Sequence, residues 1–158
     1  MTAVEELTGI GHRWEDQVAA FLTARGFDVA YYGQRTADFH TQRVVRQFHP
    51  HLAHAPDLLV LNMYGEPIAI DAKWTSRTDT GLHGVNNAAR EGLADFAEHY
   101  GALGLFAFRH DGERVGFMNV ADWRAANPWP GPNNGNGSGT PYELVKCACV
   151  FLDEPRPG

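Results

Sequence analysis

Two aspartates and a lysine stand out in "APDLLVLNMYGEPIAIDAKW", residues 55–74. Asp57 follows a proline and opens an apolar run, Gly65 marks a turn, and a second apolar run ends in Asp71, Ala72 and Lys73. If the two runs pair as a hairpin around residues 64–65, position 57 falls opposite about 72, and the two acids become neighbours at the end away from the turn. Residues two apart on a strand share a face, so Asp71 and Lys73 leave the same side while Ile70 and Ala72 leave the other. Two carboxylates brought this close repel, and leaving them buried and uncompensated costs several kcal/mol. Lys73, a divalent cation, or both would offset that charge. Oxygen ligands with room for water suit Mg²⁺ or Mn²⁺ rather than zinc. Such a cation binds phosphate oxygens and acidifies water, and a neighbouring lysine can orient that water or offset charge on the phosphorus oxygens. Acids also end strands for no catalytic reason, and an aspartate two residues before a lysine carries little on its own.

The elements that must hold these groups are legible in part. "HRWEDQVAAFLTARG" carries Trp14, Val18, Phe21 and Leu22 at helical intervals, with Thr8 a candidate N-cap and Gly26 a C-terminal stop. "FDVAYYG" reads as a strand. Residues 34–54 mix three arginines, four histidines and two phenylalanines without a clean period, and read as a long loop with room for a short element around Val44 and Val45. "LLVL" is continuously apolar, which predicts cover on both faces. "NNAAREGLADFAEHYGA" is a second helix with Ala89, Leu93, Phe96 and Ala97 as its stripe and Gly101 as its stop. "LGLFAFRH" and "RVGFMNV" read as strands around Asp111-Gly112, and "YELVKCACVFL" as a last strand. Between them, 128–141 is rich in proline and glycine and is expected to be mobile. The order implies an α/β chain with a mixed central β-sheet flanked by helices.

Composition narrows the classes. A length of 158 residues suits one domain with its own core, taken as 1–158. No apolar stretch approaches the roughly 18–20 residues that span a bilayer, and the acidic start lacks a signal-peptide core, so a cytoplasmic setting is expected, or a host cytoplasm if the gene is viral. Thirteen Lys plus Arg against 19 Asp plus Glu give a net charge of −6, which argues against a broad non-specific grip on nucleic acid but not against a local one. Cys147 and Cys149 read as buried thiols of a core strand, since neighbours on one strand rarely form a disulfide. His40, His49, His51 and His54 match no compact zinc pattern. His83 and Asn86 or Asn87, at the start of the second helix, could meet a phosphate at its N-terminus. Packing suits Trp74 and Trp123, while Trp129, set between prolines, could touch a partner.

Taken together, the "PD" at 56–57, the "DAK" at 71–73 and the helix–strand–strand–strand–helix–strand order resemble the PD-(D/E)XK nuclease superfamily over roughly residues 9–109. Gly11 and Glu15 in "GHRWE", then "ARGFDVAYYG", look most like Holliday junction resolvases of the archaeal type. The resemblance implies a restriction-endonuclease-like core, with 110–158 as an extension. It implies a Mg²⁺- or Mn²⁺-dependent endonuclease that hydrolyses DNA phosphodiesters to a 5′-phosphate and a 3′-hydroxyl. Asp57 and Asp71 would be metal carboxylates, the Ala72 carbonyl a further ligand, Lys73 a group that helps activate water, and Glu15 a ligand or orienter for a second metal or its water. Arg35, Arg43, Arg46, Ser76 and Arg77 would contact DNA, with Thr36 where the resolvases carry a serine-glycine pair. A junction DNA substrate and a homodimer are implied, because paired symmetric cuts need two sites. A restriction-type or repair nuclease on the same core and a non-catalytic DNA-binding module remain alternatives. The extension and the histidine-bearing insert at 37–54 depart from the pattern.

Overall fold

A computed structural model describes residues 3–33, 38–48, 55–74, 81–110, 114–131, 141–146 and 150–152. The first helix, α1 (Ala3–Thr23), places Trp14, Val18 and Leu22 on one buried face. It begins before Thr8, so Thr8 lies inside the helix rather than capping it. The helix-forming run from Ala3 to Leu7 extends the element upstream. It stops where Gly26, at φ +88°, takes a left-handed conformation that a residue with a Cβ adopts only at a cost.

Strands β1 (Asp28–Tyr31), β2 (Leu58–Leu61) and β3 (Pro67–Lys73) form an antiparallel unit. At the β2–β3 turn the Asn62 side chain accepts hydrogen bonds from the Tyr64 and Glu66 amides, both at 2.9 Å, and Gly65 adopts φ +76°. That turn sets Leu58 opposite Ile70, so Asp57 falls opposite Asp71, one position from the expected register. On its other edge β3 pairs in parallel with β5 (Leu103–Arg109), which pairs antiparallel with β6 (Val115–Asn119). The central sheet among the described residues is therefore mixed, in the order β1-β2-β3-β5-β6.

Side-chain alternation divides the core into two layers. Ile70, Leu58, Val60, Ala107 and Phe117 face α1, and the Trp14 indole Nε1 donates to the Ala107 carbonyl at 3.1 Å. On the opposite face Ala69, Phe106, Phe108 and Met118 pack against α3 (Asn87–Tyr100), Val85 and Trp123. Helix α3 covers only part of that face. Leu61 is 42% exposed and Leu59 half-buried, so the "LLVL" strand is covered on one face rather than both. An open groove of about 520 Å³, lined by Ala30, Tyr32, Leu59, Leu61, Phe96 and Tyr100 among others, lies where the second cover was expected.

Three features depart from the expected order. Phe39–Phe48 is a ten-residue helix, α2, where a long loop with only a short helix or strand around Val44 and Val45 was expected, so Arg43 and Arg46 sit on a helix. Leu82–Asn86 forms a strand, β4, ahead of α3. It pairs with β8 (Tyr142–Lys146), and β8 with the two-residue β7 (Trp129–Pro130), in a separate three-stranded sheet. The final strand therefore leaves the central sheet, meeting it again only at the Phe117–Val150 bridge among the described residues. Glu143 on β8 ties this small sheet to the body through Arg90 at 3.3 Å, Arg124 at 3.7 Å and the Trp123 indole at 3.3 Å. Among the described residues no helix is long and apolar enough to cross a membrane.

Candidate active site

Because β2 and β3 run antiparallel, the start of β2 and the end of β3 lie together. Because β3 and β5 run parallel, their C-terminal ends lie together as well. Asp57, Asp71 and Lys73 are therefore carried to one end of the central sheet. The Asp57 carboxylate accepts a hydrogen bond from the Ala72 amide at 2.8 Å, while the Asp57 amide donates to the Ile70 carbonyl at 2.9 Å. Main chain and side chain of one residue thus fasten the two strands. Asp71 is buried, and its carboxylate lies 3.1 Å from the Lys73 ammonium.

The charges are strongly unbalanced. Desolvation, the Asp71 charge, a hydrogen bond shared with Asp71 and the Glu15 charge push the Asp57 carboxyl up to about 9, against the opposing pull of Lys73. Glu15, half-buried on α1, is thereby within electrostatic reach of both Asp57 and Lys73. Desolvation disfavours the Lys73 ammonium, but the charges of Asp71, Asp57 and Glu15 outweigh it, so its pKa rises. Lys73 is therefore a cation at neutral pH, able to donate hydrogen bonds but not to take a proton. Asp16, next to Glu15, accepts a hydrogen bond from the Tyr31 hydroxyl at 2.7 Å.

The donor set fits a hard divalent cation. Three carboxylates face one ammonium, and burial, followed by the charges of Asp71 and Glu15, drives the Asp57 carboxyl up to about 9. Among the described residues no three His, Cys, Asp or Glu side chains are placed to cage a metal by themselves. A cation at Asp57 and Asp71 would complete its shell with main-chain oxygen and water, as Mg²⁺ prefers.

Gly33 controls how Asp57 enters this arrangement. It is buried at φ +73°, and a Cβ there would stand 2.8 Å from the Pro56 carbonyl oxygen. Next to it, the Tyr32 amide donates to the Asp57 carbonyl at 2.8 Å. Gly33→Ala is expected to lower stability by about 2 kcal/mol, from the left-handed backbone and the forced shift of Pro56. A thermal melt checks this, and an unchanged melting temperature would show that the Pro56–Asp57 segment adapts freely.

The remaining expected contacts fall apart from this cluster or outside the description. Arg43 is exposed on α2, and Arg46 lies on the same helix. Arg35, Thr36, Ser76 and Arg77 lie outside the described residues, as do His49, His51, His54, Cys147 and Cys149. The N-terminus of α3 is not open to a phosphate in the expected way. The Asn86 side chain accepts from the Ala88 and Ala89 amides at 2.8 and 3.4 Å, and the Asn87 amide donates to the Pro141 carbonyl at 3.1 Å. His83 is not on that helix at all but on β4. Trp123 is buried in the α3 layer, whereas Trp129 is 40% exposed on β7. Trp74, 39% exposed, carries the Arg109 guanidinium over its ring at 5.3 Å, a pair at the tips of β3 and β5 that the local sequence pattern did not reveal.

No protein-family model matches the chain, and neither does any curated protein. Among solved structures it is similar to Hjc, a Holliday junction resolvase from the archaeal hyperthermophile Archaeoglobus fulgidus. The two are 16% identical, the match covers 90% of this chain and 91% of that one, and the TM-score is 0.59. At that identity the likeness is one of fold. With its mixed central sheet between two helical layers, the chain has the restriction-endonuclease-like fold that the resemblance implied.

Proposed function

We propose that this chain is a divalent-metal-dependent DNA endonuclease that selects branched DNA, with a four-way junction as its preferred substrate. What supports this most is the meeting of Asp57, Asp71 and Lys73 at one strand end, with Glu15 in electrostatic reach. The fold shared with a resolvase supports the choice of substrate. Asp57, Asp71 and the Ala72 carbonyl would hold Mg²⁺ or Mn²⁺, and Glu15 would bind or orient at a neighbouring position. The chemistry such a cation supplies when bound is charge neutralisation at the phosphoryl oxygens and a more acidic water.

The chain's own residues do the rest. Asp71 holds the Lys73 ammonium at 3.1 Å, which fixes the direction in which it offers its remaining hydrogens. Lys73 donates to the attacking water or to a non-bridging oxygen, holding the water in line and opposing the charge that grows on the phosphate. The Ala72 amide fixes the Asp57 carboxylate against rotation. Water adds to phosphorus and gives up a proton to solvent, the bond to the 3′-oxygen breaks, and that oxygen takes a proton from solvent, leaving a 5′-phosphate and a 3′-hydroxyl. Arg35, Arg43, Arg46, Ser76 and Arg77, with Thr36, are the proposed contacts to the flanking backbone, and a homodimer supplies the second site for paired cuts.

A cleavage panel of four-way junction, flap, linear duplex and single strand, in Mg²⁺, Mn²⁺ or chelator, tests this. The junction is expected to be cut fastest, in metal only. Equal rates on linear duplex point to a restriction-type or repair nuclease, and no cleavage of any substrate ends the enzymatic reading.

A further inference from the structure

The β3–β5 ladder ends with Lys73 opposite Phe108, so Trp74 and Arg109 are the next pair, just beyond it. Side chains alternate along a strand, so Trp74 leaves the side opposite Asp71 and Lys73, the side on which Ala72 packs against the α1 layer. The Arg109 guanidinium lies over the indole, 5.3 Å from the ring centroid. Trp14 and Trp123 are buried to 1% exposure, whereas Trp74 keeps 39% of its surface in solvent. Among the described residues neither core layer takes it in. A large flat apolar ring therefore stands at the surface, separated from Asp71 by about 10 Å of backbone.

Packing does not account for an indole in that place, because the layer beside it closes on Ala72 without it. Its neighbours give it a use. The carboxylates and Lys73 are placed to receive a DNA phosphate, and the nucleotides on either side of that phosphate bring flat aromatic bases within reach of the ring. Arg109, charged at any pH, adds positive charge on the same flank. A ring backed by a guanidinium is a surface on which an unpaired base rests well, whatever its identity. A base inside continuous duplex is already stacked on both sides and must be pulled out before it can reach the indole. At a branch point the stack is already interrupted, so that cost largely disappears.

We propose that Trp74, backed by Arg109, is the platform on which the base next to the cut phosphate stacks at a branch point, and that this contact is a determinant of the preference for branched over continuous DNA. The inference rests on the nuclease reading for its substrate. Trp74 takes no part in the chemistry; it binds and orients the strand whose phosphate the carboxylates receive.

Binding of the full chain to a four-way junction and to linear duplex, each in Ca²⁺, is the test. Trp74→Ala should weaken junction binding about five- to a hundredfold, the range for one lost base stack, with duplex binding unchanged. Trp74→Phe keeps a flat face and should recover most of the loss. A junction loss below about fivefold, an equal loss on duplex, or a phenylalanine variant no better than alanine overturns the proposal. A reading on the wild type needs no variant. A 2-aminopurine placed at the branch point should lose emission when the protein binds, because stacking quenches it, and an unchanged or brighter signal overturns the platform. Cleavage of the same junction in Mg²⁺ separates the two readings. Quenching without any cutting upholds the platform and ends the nuclease reading, whereas cutting with a Trp74→Ala variant as junction-selective as wild type ends the platform alone.

Discussion

Asp71→Asn is expected to reduce DNA cleavage by at least about a thousandfold while leaving the fold intact, the scale associated with removing a charged group that acts directly on the reacting phosphate. The substitution keeps the size and planar shape of the side chain, so the buried position is still filled. It removes the charge of a proposed metal ligand and the anchor of the Lys73 ammonium, 3.1 Å away. Lys73→Met should cost as much, because the ammonium is the one cation within this cluster's described electrostatic network. Single-turnover cleavage of a junction, read beside circular dichroism, separates lost chemistry from lost structure. Folded variants that retain more than about a tenth of wild-type rate would remove these two residues from the reaction.

Asp57→Asn is expected to do the opposite to stability, raising the melting temperature by about 5 °C or more at pH 8 without divalent metal. The cause is the carboxyl's displacement to about 9 by desolvation, the Asp71 charge and Glu15. The folded chain holds this proton where the unfolded chain, with a pKa near 4, has released it. The protonated carboxyl therefore contributes stability that is complete below about pH 4 and lost progressively, by about 1.4 kcal/mol per pH unit, as pH rises toward 9. Asparagine is uncharged throughout, so the gain over wild type should be larger at pH 8 than at pH 5. Mg²⁺ should raise the melting temperature of the wild type more than that of the variant. His83 acts in the reverse sense, since its depressed pKa gives stability present above about 6.5 and lost as pH falls toward 4. The two slopes offset one another between pH 4 and 6.5, and only above that window does Asp57 act alone. Melts of wild type and Asp57→Asn across pH 5–9 decide it: a variant that melts lower at every pH refutes the account.

Much of the central architecture was readable because its signals are local. The two-residue period of a strand puts Asp71 and Lys73 on one face, and the Gly65 turn brings Asp57 near them. The stripes Trp14–Val18–Leu22 and Ala89–Leu93–Ala97 named the faces that α1 and α3 bury. Non-local choices were not readable. Strand β4 contains His83 and Gly84, a weak strand former, and its partner β8 lies more than fifty residues later in the chain. Gly84 is explained only by that partner, since a Cβ there would stand 3.2 Å from the Leu144 side chain. The extent of helix α2 was not readable, because residues 34–54 show no clean period and Val44 and Phe48 are both exposed. The open groove beside α3 arises from where that helix stops short of β1 and β2, a matter of placement rather than of residue pattern.

Strand β3 pairs with β2 only as far as Ile70, so the ladder holds Asp71, Ala72 and Lys73 from the β5 side alone. On the other side Asp57 takes over, its amide donating to the Ile70 carbonyl and its side chain accepting from the Ala72 amide. One residue is thus both a member of the candidate site and the peg that keeps the strand tip in place. Shortening that side chain would loosen Asp71 and Lys73 along with it, whereas asparagine keeps an oxygen for the Ala72 amide.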